Sequence, residues 1–216
     1  MATDTPIFLK QLELGPMQNF IYLIGDPQSR EAAVVDPGWD VPAILRAAER
    51  DGYRLTKAFV THHHFDHVQG LDELLKTADL PIYVHRDDAP LLQVQRSSLK
   101  PVGGGETIPV GRVSVSLIHT PGHTPGSQCL LVDGRLLTGD TLFIKACGRW
   151  DLPGGDPAQL YESLNVKLKA LDEATVVYPG HNYADRPTST IGEEKQENPF
   201  LQAPSREAFL RAIGRG

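Results

Sequence analysis

Four histidines and one aspartate lie within the six residues HHHFDH that begin at His62. They directly follow the apolar run Ala58–Thr61, which predicts a buried β-strand. Side chains at alternate positions of an extended loop point the same way, so His62 and His64 are expected to chelate one ion. Asp66 and His67 then face a neighbouring position, and two adjacent ions fit this pattern better than one. The alternative interpretation is a polar surface loop.

Three further candidate ligands lie in the loops that follow predicted strands: His123, Asp140 and His181. In a layered α/β protein, functional groups gather in the loops at one edge of the sheet, so residues far apart in sequence can converge there. Taken singly, each has an ordinary interpretation. A histidine after a Pro-Gly turn is commonly a surface residue, and Gly-Asp is commonly a turn.

Apolar runs rich in β-branched residues predict eight strands. They are Phe20–Ile24, Ala32–Val35, Ala58–Thr61, Ile82–Val84, Val113–Ile118, Gln128–Val132, Leu136–Thr138 and Thr175–Tyr178. Helices are predicted after the capping residue Asp40, from Leu71 to Ala78, and after Asp156, where Pro157 occupies the first turn. Gly103–Gly105 is expected to be a plain turn, because no phosphate-loop lysine follows it. Interleaved strands and helices predict a layered α/β or α+β domain over residues 1–216, with a short C-terminal extension from about 187.

Composition narrows the function classes. The chain has 216 residues, of which 40% are hydrophobic and 22% are charged, as in an ordinary globular protein. A formal net charge of −6 gives no excess of positive charge for binding the phosphates of a nucleic acid. No apolar run approaches the roughly 18 residues of a membrane span, and the first residues lack signal-peptide features, so we expect a cytoplasmic protein without a membrane partner. Two cysteines, Cys129 and Cys147, are too few for a disulfide framework.

The ordered set HxHxDH, PGH, GD and PGH resembles the metallo-β-lactamase superfamily, and the resemblance spans about Phe20 to His181. It implies a four-layer αββα sandwich. It also implies one metal on His62, His64 and His123, a second on Asp66, His67 and His181, and a bridge through Asp140. A bridging hydroxide would then be the nucleophile. Histidine and aspartate ligands suit zinc, iron or manganese alike.

Within that superfamily, aspartate at position 140 differs from the cysteine common in true zinc β-lactamases. The chain is more similar to hydroxyacylglutathione hydrolase (glyoxalase II) and to persulfide dioxygenases, in the segment NFIYLI from Asn19, in CGR ending at Arg149, and in HNY ending at Tyr183. That resemblance implies that Arg149 and Tyr183 hold the thiol portion of the substrate. The alternative for Arg149 is a structural ion pair with Asp151.

Two activities follow from the resemblance. The first is a hydrolase in which a metal-bound hydroxide cleaves a thioester such as S-lactoylglutathione, with Asp66 and Asp140 as catalytic carboxylates. The second is a dioxygenase with a single Fe²⁺ on His62, His123 and Asp140, which oxidises glutathione persulfide to sulfite. The expected partner is a small thioester or a glutathione-like thiol. The sequence leaves open whether the protein forms a homodimer, because no segment identifies an interface.

Three histidines receive no metal role in this interpretation: His63, His85 and His119. Cys147 lies near the bridging residue, and we interpret it as a structural thiol.

Overall fold

The computed structural model describes residues 6–213, which form two six-stranded sheets. The first sheet contains, in spatial order, β1 (Phe8–Leu14), β2 (Asn19–Gly25), β3 (Glu31–Val35), β4 (Arg54–Phe59), β5 (Ile82–His85) and β6 (Leu99–Val102). The second begins with β7 (Thr107–Val110), β8 (Val113–His119), β9 (Gln128–Val132) and β10 (Arg135–Gly139). A hairpin of β11 (Leu142–Phe143) and β12 (Ala146–Cys147) follows, and β13 (Val176–Pro179) and β14 (Ser189–Thr190) complete the second sheet in the order β14-β13-β10-β9-β8-β7.

Helices cover the outer face of each sheet. The first sheet carries α1 (Val41–Arg50), α2 (Phe65–Val68) and α3 (Leu71–Thr77), and the second carries α4 (Pro157–Tyr161), α5 (Ile191–Glu197) and α6 (Arg206–Ala212). No helix within residues 6–213 is long and apolar enough to cross a membrane.

Strand β2 shows how the layers are built, because its residues are buried on both faces. Ile21 and Leu23 pack towards α1 and α3, whereas Phe20, Tyr22 and Ile24 pack between the two sheets. This alternation follows the two-residue period of a strand. A third apolar cluster joins the second sheet to its helices, so the predicted four-layer αββα sandwich is confirmed.

The eight predicted strands are all present, with small shifts at their ends. The strand expected at Ala58–Thr61 instead runs over Arg54–Phe59, which leaves Thr61 at the start of the histidine loop. Asp40 and Asp156 cap their helices as predicted, accepting hydrogen bonds from the backbone at Ala43 and at Ala158. Six strands were not predicted, namely β1, β6, β7, β11, β12 and β14.

Helix α4 is less regular than its sequence suggested. It continues as a π-helical stretch, Glu162–Lys167, and a 3₁₀ turn, Leu168–Ala170. Its buried leucines Leu160, Leu164 and Leu168 recur every four residues. Four residues of an α-helix rotate about 40° past one turn, so a wider turn keeps these leucines facing the sheet.

Candidate metal centre

The candidate ligands gather at one edge of the sandwich, where strands of both sheets end. The histidine loop follows β4, His123 follows β8, Asp140 follows β10, and His181 follows β13. An isolated bridge between Asn19 and His181 joins the two sheets at this edge. The strand order thus brings together residues that are more than 100 positions apart in the chain.

The seven predicted ligands form three overlapping groups whose ligand atoms lie within 4.8 Å of one another. The groups are His62 with His64 and His123, His62 with His67 and Asp140, and Asp66 with His67 and His181. The structure therefore places all seven residues in one centre. Asp140 touches both ends of it, being 3.6 Å from His123 Nε2 and 3.4 Å from His181 Nε2.

The spacing within the Asp66 group fits a single ion. His67 Nε2 and His181 Nε2 are 3.2 Å apart, and each lies 3.3 Å from Asp66 Oδ2. Two atoms bound to one tetrahedral ion at about 2.1 Å lie roughly 3.4 Å apart. The three atoms therefore already occupy the corners of a metal-sized triangle.

Four of the histidines are oriented in the same way, by a hydrogen bond from Nδ1 to an oxygen. The acceptors are Thr61 Oγ1 for His62 at 3.0 Å, Asp36 Oδ2 for His67 at 3.0 Å, the Arg149 carbonyl for His123 at 2.7 Å and the Met17 carbonyl for His181 at 2.9 Å. Each bond holds the proton on Nδ1 and leaves Nε2 free to bind a cation. This is the arrangement that metal-binding histidines usually show.

Three buried atoms at the centre lack any hydrogen-bond partner among the described residues: His62 Nε2, His123 Nε2 and Asp140 Oδ1. Such atoms carry a desolvation cost unless a partner occupies the space between them. A divalent cation satisfies imidazole nitrogens and carboxylate oxygens together, so the residues fit the metals that the sequence implied.

Electrostatics divide the centre into two halves. Burial, followed by repulsion from His123, lowers the pKa of His64 to about 4, and burial likewise holds the pKa of His62 well below its usual value. Burial also disfavours charge on His181, but Asp140 and Asp66 outweigh it and raise its pKa to about 9. The first half thus presents neutral imidazoles at His62 and His64, and the second has carboxylates that favour positive charge.

Two residues that support the ligands were missed by the sequence analysis. Asp36 accepts hydrogen bonds from the Thr61 backbone at 2.7 Å and from the Thr61 hydroxyl at 2.6 Å, besides its bond with His67. Asn19 donates from Nδ2 to Asp66 Oδ2 at 2.9 Å and accepts from Trp39 Nε1 at 2.8 Å. The sequence signal for Asp36 was a carboxylate after a strand and before Pro-Gly, in the same context as the ligands.

Tight backbone approaches also shape the loops. A Cβ atom on Gly148 would lie 1.7 Å from the Asp140 carbonyl oxygen, and one on Gly38 would lie 1.7 Å from that of Asp66. Only glycine at these positions lets the supporting chain pass so close to the carboxylate ligands.

A cavity of about 570 Å³ opens over the centre. Besides the ligands, its lining includes Phe143, Cys147, Arg149 and Tyr183. Both predicted substrate-binding residues therefore reach the cavity. The Tyr183 ring stacks on the His181 ring at 4.6 Å, and burial, reinforced by nearby carboxylates, raises the pKa of its hydroxyl.

Arg149 also forms the ion pair that the sequence analysis gave as its alternative role. Its Nε and Nη2 each donate to a different carboxylate oxygen of Asp151 at 2.9 Å. Its side chain is thus part of the cavity wall and of this bidentate pair.

The remaining histidines lie outside the centre. His63 is held by Asp88 Oδ2 at 2.9 Å from Nδ1. His85 and His119, together with Asp87, form a fourth group of metal-ligand type, but the two rings stack face to face at 3.8 Å with planes 10° apart. One ion cannot lie in both ring planes of such a stack, so the pair does not chelate in this arrangement.

Comparison with known proteins agrees with the fold. A family model described as the metallo-beta-lactamase superfamily matches residues 14–181. A hydroxyacylglutathione hydrolase of Alkalilimnicola ehrlichii is 38% identical, with 88% of this chain and 72% of that protein covered. A probable polyketide biosynthesis zinc-dependent hydrolase, PksB, of Bacillus subtilis is 30% identical, with 89% and 86% covered. Among solved structures, ETHE1 from Myxococcus xanthus has a TM-score of 0.87 and 33% identity, with 95% of this chain and 89% of that one covered.

Proposed function

Since this chain belongs to the metallo-β-lactamase superfamily, we propose that it is a metal-dependent thioester hydrolase of the glyoxalase II type. The observation that carries the proposal is the completeness of both ligand groups, which share the carboxylate of Asp140. Two complete ligand groups would hold two cations, which supports the hydrolase. Its relatives include the hydroxyacylglutathione hydrolase and the probable polyketide biosynthesis zinc-dependent hydrolase PksB.

His62, His64 and His123 would hold one divalent ion, Asp66, His67 and His181 the other, and Asp140 would contact both. Zinc, iron and manganese all accept this donor set. Bound there, divalent ions supply water activation and a Lewis acid for the carbonyl oxygen.

The chain's own groups orient the substrate. Tyr183 keeps its proton at neutral pH, as an ordinary tyrosine does, so its hydroxyl is a hydrogen-bond donor at the cavity wall. The Arg149 guanidinium, which is paired with Asp151, presents its positive charge to the thiol portion of the substrate. The apolar wall near Phe143 limits bulk water around the carbonyl.

The overall reaction consumes one water. Its oxygen bonds to the carbonyl carbon, the carbon–sulfur bond breaks, and the sulfur leaves as a thiol, so that a carboxylate, a thiol and one proton are formed. Cys147 takes no part in this scheme, because burial raises the pKa of its thiol to about 12.

A second candidate is a persulfide dioxygenase, and the similarity to ETHE1 favours it. One Fe²⁺ would then use His62, His123 and Asp140, a two-histidine, one-carboxylate face. In that reaction a persulfide, dioxygen and water yield a thiol, sulfite and two protons, and the Asp66 group has no assigned role.

Two assays distinguish the two candidate activities, and both use protein whose metal content has been determined. Thiol release from a panel of thioesters that includes S-lactoylglutathione, measured with a thiol-reactive chromophore, is expected for at least one member and should stop when a chelator removes the metals. Oxygen uptake with glutathione persulfide, measured on protein loaded anaerobically with Fe²⁺, is expected to be absent. Rapid enzyme-dependent uptake without thioester cleavage would overturn the hydrolase proposal and establish the dioxygenase.

A further inference from the structure

The cavity over the metal centre has few groups that could bind a negatively charged part of the substrate. Apart from the metal ligands, Arg149 is the one charged side chain in its described lining, and it is already paired with Asp151 through two of its five N–H donors. Glutathione carries two carboxylates, and each needs a cation or several hydrogen-bond donors. The described wall supplies one such cation, and it is shared with Asp151.

Exposed apolar side chains instead gather at the mouth of this cavity. The structure exposes five large hydrophobic residues among those described: Met17, Phe65, Leu91, Val166 and Tyr183. Three of them, Met17, Phe65 and Tyr183, line the cavity itself. Contiguous apolar surface of this kind marks a place where an apolar ligand is covered.

A groove of about 340 Å³ adjoins the cavity, and Phe65 lines both. Its apolar wall includes Val68, Leu91, Leu92 and Val94. This volume lies within the range of ligand pockets, about 300–1,000 Å³. We call the space lined by these residues the Phe65 groove.

The polar residues of the Phe65 groove offer an anion no lysine or arginine. Among the described residues they are Gln69, Gln93, His63 and Asp72, so the lining holds a carboxylate, and the His63 imidazole is already bound to Asp88. A second carboxylate placed there would be repelled by Asp72. An uncharged chain meets no such repulsion, and its burial removes apolar surface of Leu91 and Phe65 from water.

Phe65 is held in place as the wall between the two spaces. Its ring lies edge to face with that of Trp39 at 6.5 Å. Trp39 in turn donates to Asn19, which donates to the candidate ligand Asp66. This series of contacts connects Phe65 to the metal centre. An acyl chain that extends from the reacting carbonyl past Phe65 would therefore enter the groove.

Building on the proposed thioesterase function, we infer that the Phe65 groove binds the acyl chain of the substrate, and that the preferred substrates are neutral thioesters with an extended aliphatic acyl group. Arg149 and Tyr183 line the cavity but not the groove, so they remain on the thiol side of the carbonyl. Short hydroxyacyl groups such as lactoyl leave the groove empty.

The test compares thioesters of one neutral thiol, N-acetylcysteamine, with acetyl, butyryl, hexanoyl and octanoyl groups, and adds S-lactoylglutathione. The holoenzyme is expected to gain about two- to fourfold in kcat/KM per methylene while the chain contacts the groove. Equal values along the series, or a preference for S-lactoylglutathione over octanoyl thioester, would overturn the inference and leave the thioesterase standing. Absence of cleavage for every thioester would overturn both.

Two surface variants locate the effect. Leu91→Lys and Gln93→Lys each place a cation in the groove and should reduce the octanoyl-to-acetyl ratio of kcat/KM by about tenfold, which reflects a few buried methylenes. Val166→Lys is the matched control, because Val166 is 56% exposed, like Leu91 at 54%, and lies outside both spaces. Metal content and melting temperature are measured on all three. An unchanged ratio in both groove variants, or an equal drop in Val166→Lys, would contradict the assignment.

Discussion

Asp36 and His67 are joined by a 3.0 Å hydrogen bond between a carboxylate oxygen and Nδ1 of the imidazole. Both residues are buried, and they are 31 positions apart in the chain. The bond fixes the histidine proton on Nδ1 and turns Nε2 towards Asp66 and His181. A residue that binds no metal in this arrangement thus decides which atom of a ligand faces the metal.

Asp36→Asn should therefore weaken metal binding at the Asp66 group while leaving the first group filled. The amide has one acceptor oxygen, so it cannot accept from both His67 and the Thr61 backbone, which bind different carboxylate oxygens. Loss of such a partner typically costs about 10- to 100-fold in metal affinity. Metal stoichiometry against a graded chelator measures this. Asp79→Asn, at an exposed position, is the control. Retention of both metals with unchanged affinity would show that the bond does not orient the ligand.

Asp140→Asn should abolish activity and lower metal content together. Asp140 lies within 3.6 Å of His67, His123 and His181, so the substitution removes the charge that both halves share. Elemental analysis and thioester turnover are measured on the same preparation, with the melting temperature as a check of folding. Full activity with two metals bound would refute the bridging role.

Cys147→Ser should keep most of the activity. The thiol lines the cavity, yet burial raises its pKa to about 12, so it is neither an anionic ligand nor a nucleophile at neutral pH. Turnover of one thioester is compared between variant and parent at equal metal content. A loss greater than about tenfold with metals unchanged would assign the thiol a direct role.

Asp26 should stabilise the fold in a pH-dependent way. Its carboxylate accepts from the backbone of Gln28 and of Arg112, each at 2.9 Å, and these bonds lower its pKa. A carboxylate with a lowered folded-state pKa stabilises the fold above the ordinary aspartate pKa and loses that effect as the pH falls through the folded value. Asp26→Asn should accordingly lower the melting temperature at pH 7.

The difference in melting temperature between parent and Asp26→Asn should then narrow as the pH falls through about 3.9 and below. Asp79→Asn serves again as the surface control. A difference in melting temperature that stays constant or grows as the pH falls would show that the carboxylate charge is not what these backbone donors stabilise.

Much of the fold could be predicted because its signals are local. The strand at Phe20–Ile24 is a continuous β-branched and aromatic run, as expected for a strand covered on both faces, and β2 is such a strand. Strand β1 was missed because its seven residues FLKQLEL mix polar and apolar side chains, and nearly all of them are only partly buried. Its position is set by pairing with β2.

The sequence by itself determined the ligand types, their order and their position at strand ends, because histidine and aspartate spacing within a loop is a short-range property. Only the tertiary structure decided how they meet. The partnership of Asp36 with His67, the support of Asp66 by Asn19, and the groove beside Phe65 join segments from different strands and loops. Such contacts depend on strand order and on packing between layers, and one-dimensional periodicity carries no information about either.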